Sequence, residues 1–572
     1  MTTGRRWTFW LLTALPVSWV LAQDSPQSAG DLQARQEQRQ RFQRQQLMTA
    51  QPGSWVFLPG ETPRIVWRDV QMIQELGADP RLLVRWFNAR LEEHPSPNEA
   101  GRWHAWIEGT APNGTPLRRS FTFYGLPKDL QSSFVPDLTV ALPRFPGPHA
   151  PLVLREHEAE IYRLANEALI GAIRDSESCA ILLAGLAEFS PLGRPARYLE
   201  SAAVLHNDYH LALKLKLQNR QDRARPLPPP RRRSAPATVL RPGTCEQAGM
   251  RSDARQRIDE VCQAWADDTG EPFVTLVARR GVIVAHAAYG RDKSGRPIDR
   301  DYRCWVASIT KTVTALLFSR FVDAGRAGWD ESVASVFPDY PQNDPHVPTF
   351  RQLLNHTSGL VGHGELGGMR HPHLENVVLN AIDVNEPQAR YAYSGLGFEL
   401  AAKAMELMAG RSAVRLYHEY LFEPLGFGEV PMGNASSDGE FTAWELGVLA
   451  QWVANRGSYG EAEYISPETF AQLLPQPLQV SERPGVTDEG LGLHWVRHQK
   501  PGTPPGSRKP EDLLFSPQTL GHGSFSGCIF LIDPEQQLVV TQIRKHSGPR
   551  SSEWTARFFQ TIAASLAEPD GQ

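Results

Sequence analysis

The sequence predicts a mixed α/β (α+β) architecture in two folded parts, and three observations carry that expectation. In the second half, apolar strand patterns stand near residue 280 and again after residue 490, with a long helix-rich section between them. That spacing implies an antiparallel sheet assembled from distant pieces, flanked by helices, with a helical subdomain inserted in it. A stretch dense in proline and arginine, residues 221–245, reads as an extended, solvated linker that divides this half from what precedes it. Ahead of it, alternating aromatic residues followed by helical patterns describe a separate α+β N-terminal domain.

Taken in order, Arg5 and Arg6 lead into an apolar run from Trp7 to Leu21, and small residues close it at Ala22. This is the pattern of a secretory signal peptide over 1–22. The run is short for a spanning helix and Pro16 interrupts it, so no integral span is expected after cleavage. The expected location is periplasmic or secreted, or membrane-tethered if the segment stays uncleaved. Residues 23–54 are rich in Gln and Arg and read as a tether. The N-terminal domain, 55–220, is expected to hold a hairpin over Arg102–Tyr124 turning at Asn113-Gly114. Helices are expected at about 155–174, 178–189 and 202–219. Its Trp67, Trp86, Trp103 and Trp106 are assigned to the core, and its role has no signature.

The C-terminal domain, 246–572, begins with an amphipathic helix over Arg257–Asp268. Strands follow at Phe273–Ala278 and Val282–Tyr289, joined at Arg280-Gly281. Later strands are expected at 490–496, 527–532 and 538–543, with Asp533-Pro534 turning between the last two, and a helix over Glu553–Leu566 closes the domain. With 59 basic against 63 acidic residues, a net charge of −4 and 41% hydrophobic content, the chain has ample core and no footprint for nucleic acid. Among the five cysteines only Cys245 and Cys262 are close in sequence, and a disulfide between them or isolated buried thiols both fit.

The chemistry concentrates at Ser308-Ile309-Thr310-Lys311. Ile309, Val313, Leu316 and Leu317 recur at helical spacing, which puts Ser308 in the first turn of a helix ending near Gly325. Lys311 lies one turn on, on the same side as Ser308. A serine hydroxyl needs a neighbouring base, and a lysine amine kept from bulk water can be neutral near pH 7 and serve as one.

Further segments complete a resemblance. Phe350-Arg351-Gln352-Leu353-Leu354-Asn355-His356-Thr357-Ser358-Gly359-Leu360 follows the Ser-x-x-Lys stretch, then Tyr391-Ala392-Tyr393-Ser394-Gly395-Leu396-Gly397-Phe398, then Gly521-His522-Gly523-Ser524-Phe525-Ser526-Gly527. In this order they resemble the serine β-lactamase and penicillin-binding-protein superfamily, in its class C-like branch of esterases and D-Ala carboxypeptidases, over about residues 255–566. The resemblance implies a β-lactamase-like fold and an acyl-enzyme mechanism with Ser308 as nucleophile, Lys311 as base or the base's partner, Tyr393 as proton shuttle and His522 orienting substrate or tuning Tyr393. A positive charge on Lys311 beside the Tyr393 phenol is expected to ease its ionisation. The oxyanion hole would be the backbone N–H groups of Ser308 and Phe525, and Gly395, Gly523 and Ser524 would line the substrate site.

The chain also departs from the family pattern. Gly395 stands where an asparagine is usual, His522 where a lysine is, and Ser524 where a glycine is. Losing the fixed cation weakens the case for a substrate carboxylate and moves the expectation, within hydrolysis of an ester or amide, from β-lactamase toward an esterase or a peptidase of other specificity. The substrate class is a small molecule or peptide, with cell-wall fragments among the candidates, and neither cofactor nor metal is expected. His356 reads as structural, while His363, His371 and His373 have irregular spacing for ligands. The rival reading is a non-catalytic sensor or binding protein of the same fold.

Overall fold

The structure is a computed structural model that describes residues 223–566, apart from 361–367, 371–373, 380–381, 383–384, 429, 479, 481–487 and 505. It also describes residues 211 and 215, together with N-terminal segments between 50 and 125. The expected signal peptide, the helices near 155–174 and 178–189, Cys179, Asn113-Gly114, His363, His371 and His373 lie outside the described residues.

In the N-terminal region Gly101–Thr110 pairs with Pro116–Gly125 in antiparallel register, forming the arms of the expected hairpin. They belong to a five-stranded sheet with Val56–Phe57, Leu83–Asn88 and Glu93–His94. Trp86 and Trp103 are buried. Ala50–Pro52 pairs with Ile65–Trp67, so strand pairing starts inside the segment expected to be a tether.

The C-terminal domain is built on a seven-stranded sheet. Its strands in chain order are β1 (Arg241–Pro242), β2 (Phe273–Arg279), β3 (Val282–Tyr289), β4 (His494–Trp495), β5 (Leu520–Gly521), β6 (Ile529–Asp533) and β7 (Leu538–Arg544). The spatial order is β4-β5-β6-β7-β2-β3-β1, antiparallel throughout except where β1 joins β3. Successive strand side chains point to opposite faces, and β2 divides accordingly between two cores. Phe273 and Val277 pack with the helices α1 (Ala254–Thr269) and α6 (Ser551–Ala564). Val274, Leu276 and Ala278 join the larger core with α2 (Ile309–Asp323), α3 (Phe350–Leu354), α4 (Leu396–Ala409) and α5 (Ala443–Ala454). Burial on both faces explains why these strands read as near-continuous apolar runs. Leu211 and Leu215, both helical, bury in that same larger core.

Two expectations need correction. The strand expected over 490–496 is reduced to β4, because Gly490 and Gly492 take the chain close to other backbone. A Cβ on Gly490 would stand 2.2 Å from the Leu493 carbonyl oxygen, and Gly492 has φ +70°. The proline- and arginine-rich stretch is extended, as its composition requires, but is not a free solvated linker. Leu227 is buried, Arg231–Arg232 pairs with Ala462–Glu463, and the Arg231 guanidinium bridges Asp323 at 2.8 Å and Glu463 at 2.9 Å. Its arginines find acidic partners on the domain surface, so the segment straps onto the domain it introduces. The described cysteines Cys245, Cys262, Cys304 and Cys528 are free, buried thiols.

Candidate active site

The nucleophile candidate sits at a strand-to-helix junction. Cys304–Trp305 pairs with Glu440–Phe441, after which Ala307 adopts φ +49°. A left-handed non-glycine residue is held only where its surroundings over-determine it. Here the Thr310 hydroxyl donates to the Ala307 carbonyl at 2.7 Å and accepts the Gly439 N–H at 3.0 Å. The turn delivers Ser308 to the N-cap of α2, among backbone N–H groups that have no partner within the helix.

Lys311, one turn into α2, is fully buried. Its Nζ lies 3.4 Å from the Ser308 hydroxyl oxygen and donates to the Ser436 carbonyl at 2.9 Å. Burial pushes the ammonium down from 10.5 to about 7, with the anion of Glu399 opposing that shift. The Ser436 carbonyl belongs to a tight turn over residues 433–439. Asn434 Oδ1 accepts the N–H groups of Ser436 and Ser437, and Asp438 Oδ1 accepts those of Gly433 and Asn434. The Trp305 indole N–H donates to the Ser437 carbonyl, tying the same turn to the strand ahead of Ser308.

Tyr393 lies just before α4. Its ring is 4.3 Å from that of His356, whose Nδ1 accepts the Ser394 N–H at 3.1 Å and so fixes the tyrosine segment. The expected easing of phenol ionisation is overturned. Lys311 Nζ stands over the Tyr393 ring, 4.7 Å from its centroid, and burial drives the phenol well above its ordinary value. A hydrogen bond with Ser308 pulls the other way, and the nearby Glu489 charge adds to the rise. Tyr393 is therefore a protonated donor at neutral pH.

His522, on the segment after β5, is buried, with its ring 6.5 Å from that of Tyr393 and 4.5 Å from that of His494. Desolvation, together with the charges of His494 and Lys311, holds it well below 6.5, so it is neutral. Its Nδ1–H donates to the Gly523 carbonyl at 2.7 Å, which leaves Nε2 as an acceptor. Gly523 is exposed, with open space where a Cβ would stand, and Gly395 caps the start of α4. Ser524 donates to the Val306 carbonyl at 2.9 Å and Ser526 to that of Trp305 at 3.1 Å, clamping this segment beside Ser308. Between them Phe525 is 61% exposed, its ring 6.2 Å from that of Trp305.

Ser308, Lys311, Tyr393 and His522 thus converge from α2, the approach to α4 and the segment after β5. Sequence reasoning missed four neighbours: Glu399, Ser436, Glu489 and His494. His494 Nδ1 lies 2.8 Å from Glu489 Oε1. Only Glu399 left a trace in the sequence, as a charge inside the otherwise apolar run Leu396–Ala402. Ser436 comes from a turn, and Glu489 and His494 from two-residue strands, all of them segments whose approach to the site depends on the fold.

A family model described as Beta-lactamase matches residues 266–553. Among curated proteins, a stretch of 117 residues is 32% identical to Beta-lactamase-like protein 2 of Dictyostelium discoideum, covering 19% of this chain and 21% of that protein. A stretch of 126 residues is 32% identical to Penicillin-binding protein 4 of Amycolatopsis lactamdurans, covering 21% and 33%. Esterase EstB of Burkholderia gladioli is 33% identical over 137 residues, covering 22% and 34%. The aligned stretches thus span a fifth to a third of those relatives. Among solved structures, a family VIII carboxylesterase superposes with TM-score 0.43 at 16% identity, covering 55% of this chain and 98% of its own. A penicillin-binding protein homologue from Caulobacter crescentus gives TM-score 0.43 at 20% identity, covering 58% and 100%. With the family model spanning half of its length, the chain belongs to the serine β-lactamase and penicillin-binding-protein superfamily.

Proposed function

We propose that this is an exported serine hydrolase that forms an acyl-enzyme on Ser308 and hydrolyses an uncharged carboxylic ester. The observation that carries the reading is the 3.4 Å approach of a buried Lys311 amine, held to about 7, to the Ser308 hydroxyl. Such a separation is ordinary for a catalytic pair before substrate arrives, since these contacts tighten in the Michaelis complex. Export rests on the residue 1–22 pattern.

Neutral Lys311 takes the Ser308 proton as Oγ bonds to the substrate carbonyl carbon. The carbonyl electron pair moves to oxygen, facing the N–H groups of Ser308 and Phe525. When the tetrahedral species collapses, the bond to the leaving alkoxide breaks. Tyr393, a protonated phenol, supplies the proton that the alkoxide needs and recovers one from the Lys311 ammonium. A water then attacks the acyl-enzyme, giving its proton to Lys311, and Ser308 leaves with a proton as the carboxylic acid is released.

Two features support an ester over a carboxylate-bearing substrate. His522 is neutral where a fixed cation would hold a carboxylate, and the exposed Phe525 beside Trp305 offers apolar surface to an acyl or alkyl group. Ser308→Ala should abolish turnover of a p-nitrophenyl ester and labelling by a fluorophosphonate while the circular dichroism stays unchanged. Turnover equal to wild type would remove Ser308 as nucleophile, and a wild-type protein that neither probe nor ester touches would favour the sensor reading. Labelling by a fluorescent penicillin in preference to the fluorophosphonate would redirect the substrate class to β-lactams and peptides.

A further inference from the structure

Glu399 is a carboxylate where the sequence offers little reason for one. It lies in the first turn of α4, between Phe398 and Leu400, and is fully buried. Both of its oxygens accept the Ala435 N–H, at 3.0 and 2.9 Å, and Oε2 accepts the Met369 N–H at 2.8 Å. The neighbouring backbone has closed tightly on it: a Cβ on Gly368 would come within 2.9 Å of Oε2. A buried charge is costly unless it is hydrogen-bonded and meets an opposite charge. The N–H donors satisfy the first condition and the positive end of the α4 dipole helps. The opposite charge is that of Lys311, with which Glu399 interacts across the site.

The connection is also mechanical. Glu399 holds Ala435 by its N–H, the Thr314 hydroxyl holds the Ala435 carbonyl at 2.6 Å, and the next residue presents its carbonyl to Lys311 at 2.9 Å. We propose that Glu399 is a positioning residue for Lys311: through Ala435 and Ser436 it fixes where the amine stands, and as a buried anion it sets the pH range in which that amine accepts a proton. The inference rests on the reading of Lys311 as base. The other ionisable groups around the pair are Tyr393 and His522 beside Lys311, and Asp438 and Tyr417 near Glu399. Lys403 and Glu406, further along α4, pair with each other.

The sign of the effect follows from the charges. An adjacent anion favours the ammonium, so Glu399→Gln should make Lys311 lose its proton more readily. The acid limb of kcat/KM for a p-nitrophenyl ester should then move to lower pH, on the order of one unit. Asn434→Ala loosens the same turn without touching the charge and should lower the rate with the limb unmoved. A folded Glu399→Gln enzyme whose acid limb coincides with wild type, or moves upward, would overturn the proposal, because a purely structural carboxylate predicts a slower enzyme with the same profile. Should Glu399→Gln not fold, Glu399→Met, which also removes the charge, decides: the same downward shift is expected, and an unmoved or raised limb overturns the idea. Failure of the underlying reading looks different, since Lys311→Ala would then keep most of the wild-type ester turnover whatever Glu399 does.

Discussion

A lysine ammonium surrounded by protein has lost most of its hydration, and the neutral amine gains by comparison. At Lys311 that effect outweighs the opposing charge of Glu399 and brings the amine to about 7. Because the neutral form is the base, kcat/KM should rise with pH through a midpoint near 7, measured with an uncharged ester so that substrate ionisation adds nothing. A flat profile from pH 5.5 to 8.5 would place proton removal elsewhere. Lys311 and Glu399, the latter raised to about 6 by burial, titrate as a coupled pair, and the observed limb belongs to both. Ser308 and Lys311 were legible in the sequence because they share one helical turn. The raised Tyr393 phenol was not, since only the folded structure puts the amine over the ring face and closes the site around the hydroxyl.

At the scale of elements, the site depends on α3 and α4 packing closely. Gly397 makes this possible: a Cβ there would stand 2.3 Å from the Leu353 carbonyl oxygen, a backbone atom that cannot step aside. Gly397→Ala should cost about 1–3 kcal/mol by forcing the helices apart. Because α4 starts directly after Tyr393, ester turnover should also fall, and urea unfolding with a parallel rate assay would show both. Wild-type stability in that variant would mean that α3 and α4 can part there without cost. Helix α2 and strands β2, β3, β6 and β7 fall within a few residues of their expected limits, because each is long, apolar and bounded by turn residues. Strand β4 does not, because Gly490 and Gly492 ahead of it answer to neighbouring backbone, a tertiary constraint.

For the whole molecule, two desolvated histidines, the buried His418 and the part-buried His498, help set the acid limit. His498, against the Phe559 ring at 4.1 Å, and His418, whose Nε2–H donates to the Val430 carbonyl at 3.1 Å, are each lowered to about 4, chiefly by desolvation. Their folded values lie below the unfolded 6.5, so between pH 6.5 and 4 the unfolded chain binds more protons and stability falls as the pH drops. Each can account for up to about 3 kcal/mol across that window. Thermal melts should fall steeply below pH 6, and His498→Phe, which keeps a ring against Phe559, should recover part of the loss. Equal slopes in wild type and variant would exclude His498 as a contributor.

By itself the sequence determined the local geometry: the helix that puts a lysine one turn from a serine, the strands around it, and the order of the motifs that identify the family. These follow from periodicity and from residues that act within a turn or two of their own position. Only the tertiary structure decided that residues 223–242 strap onto the domain they introduce, that Ser436 and Glu399 reach Lys311, and that His522 is neutral. Each of these depends on which distant segments exclude water from a group and which charges they bring to it, and a linear pattern carries no record of either.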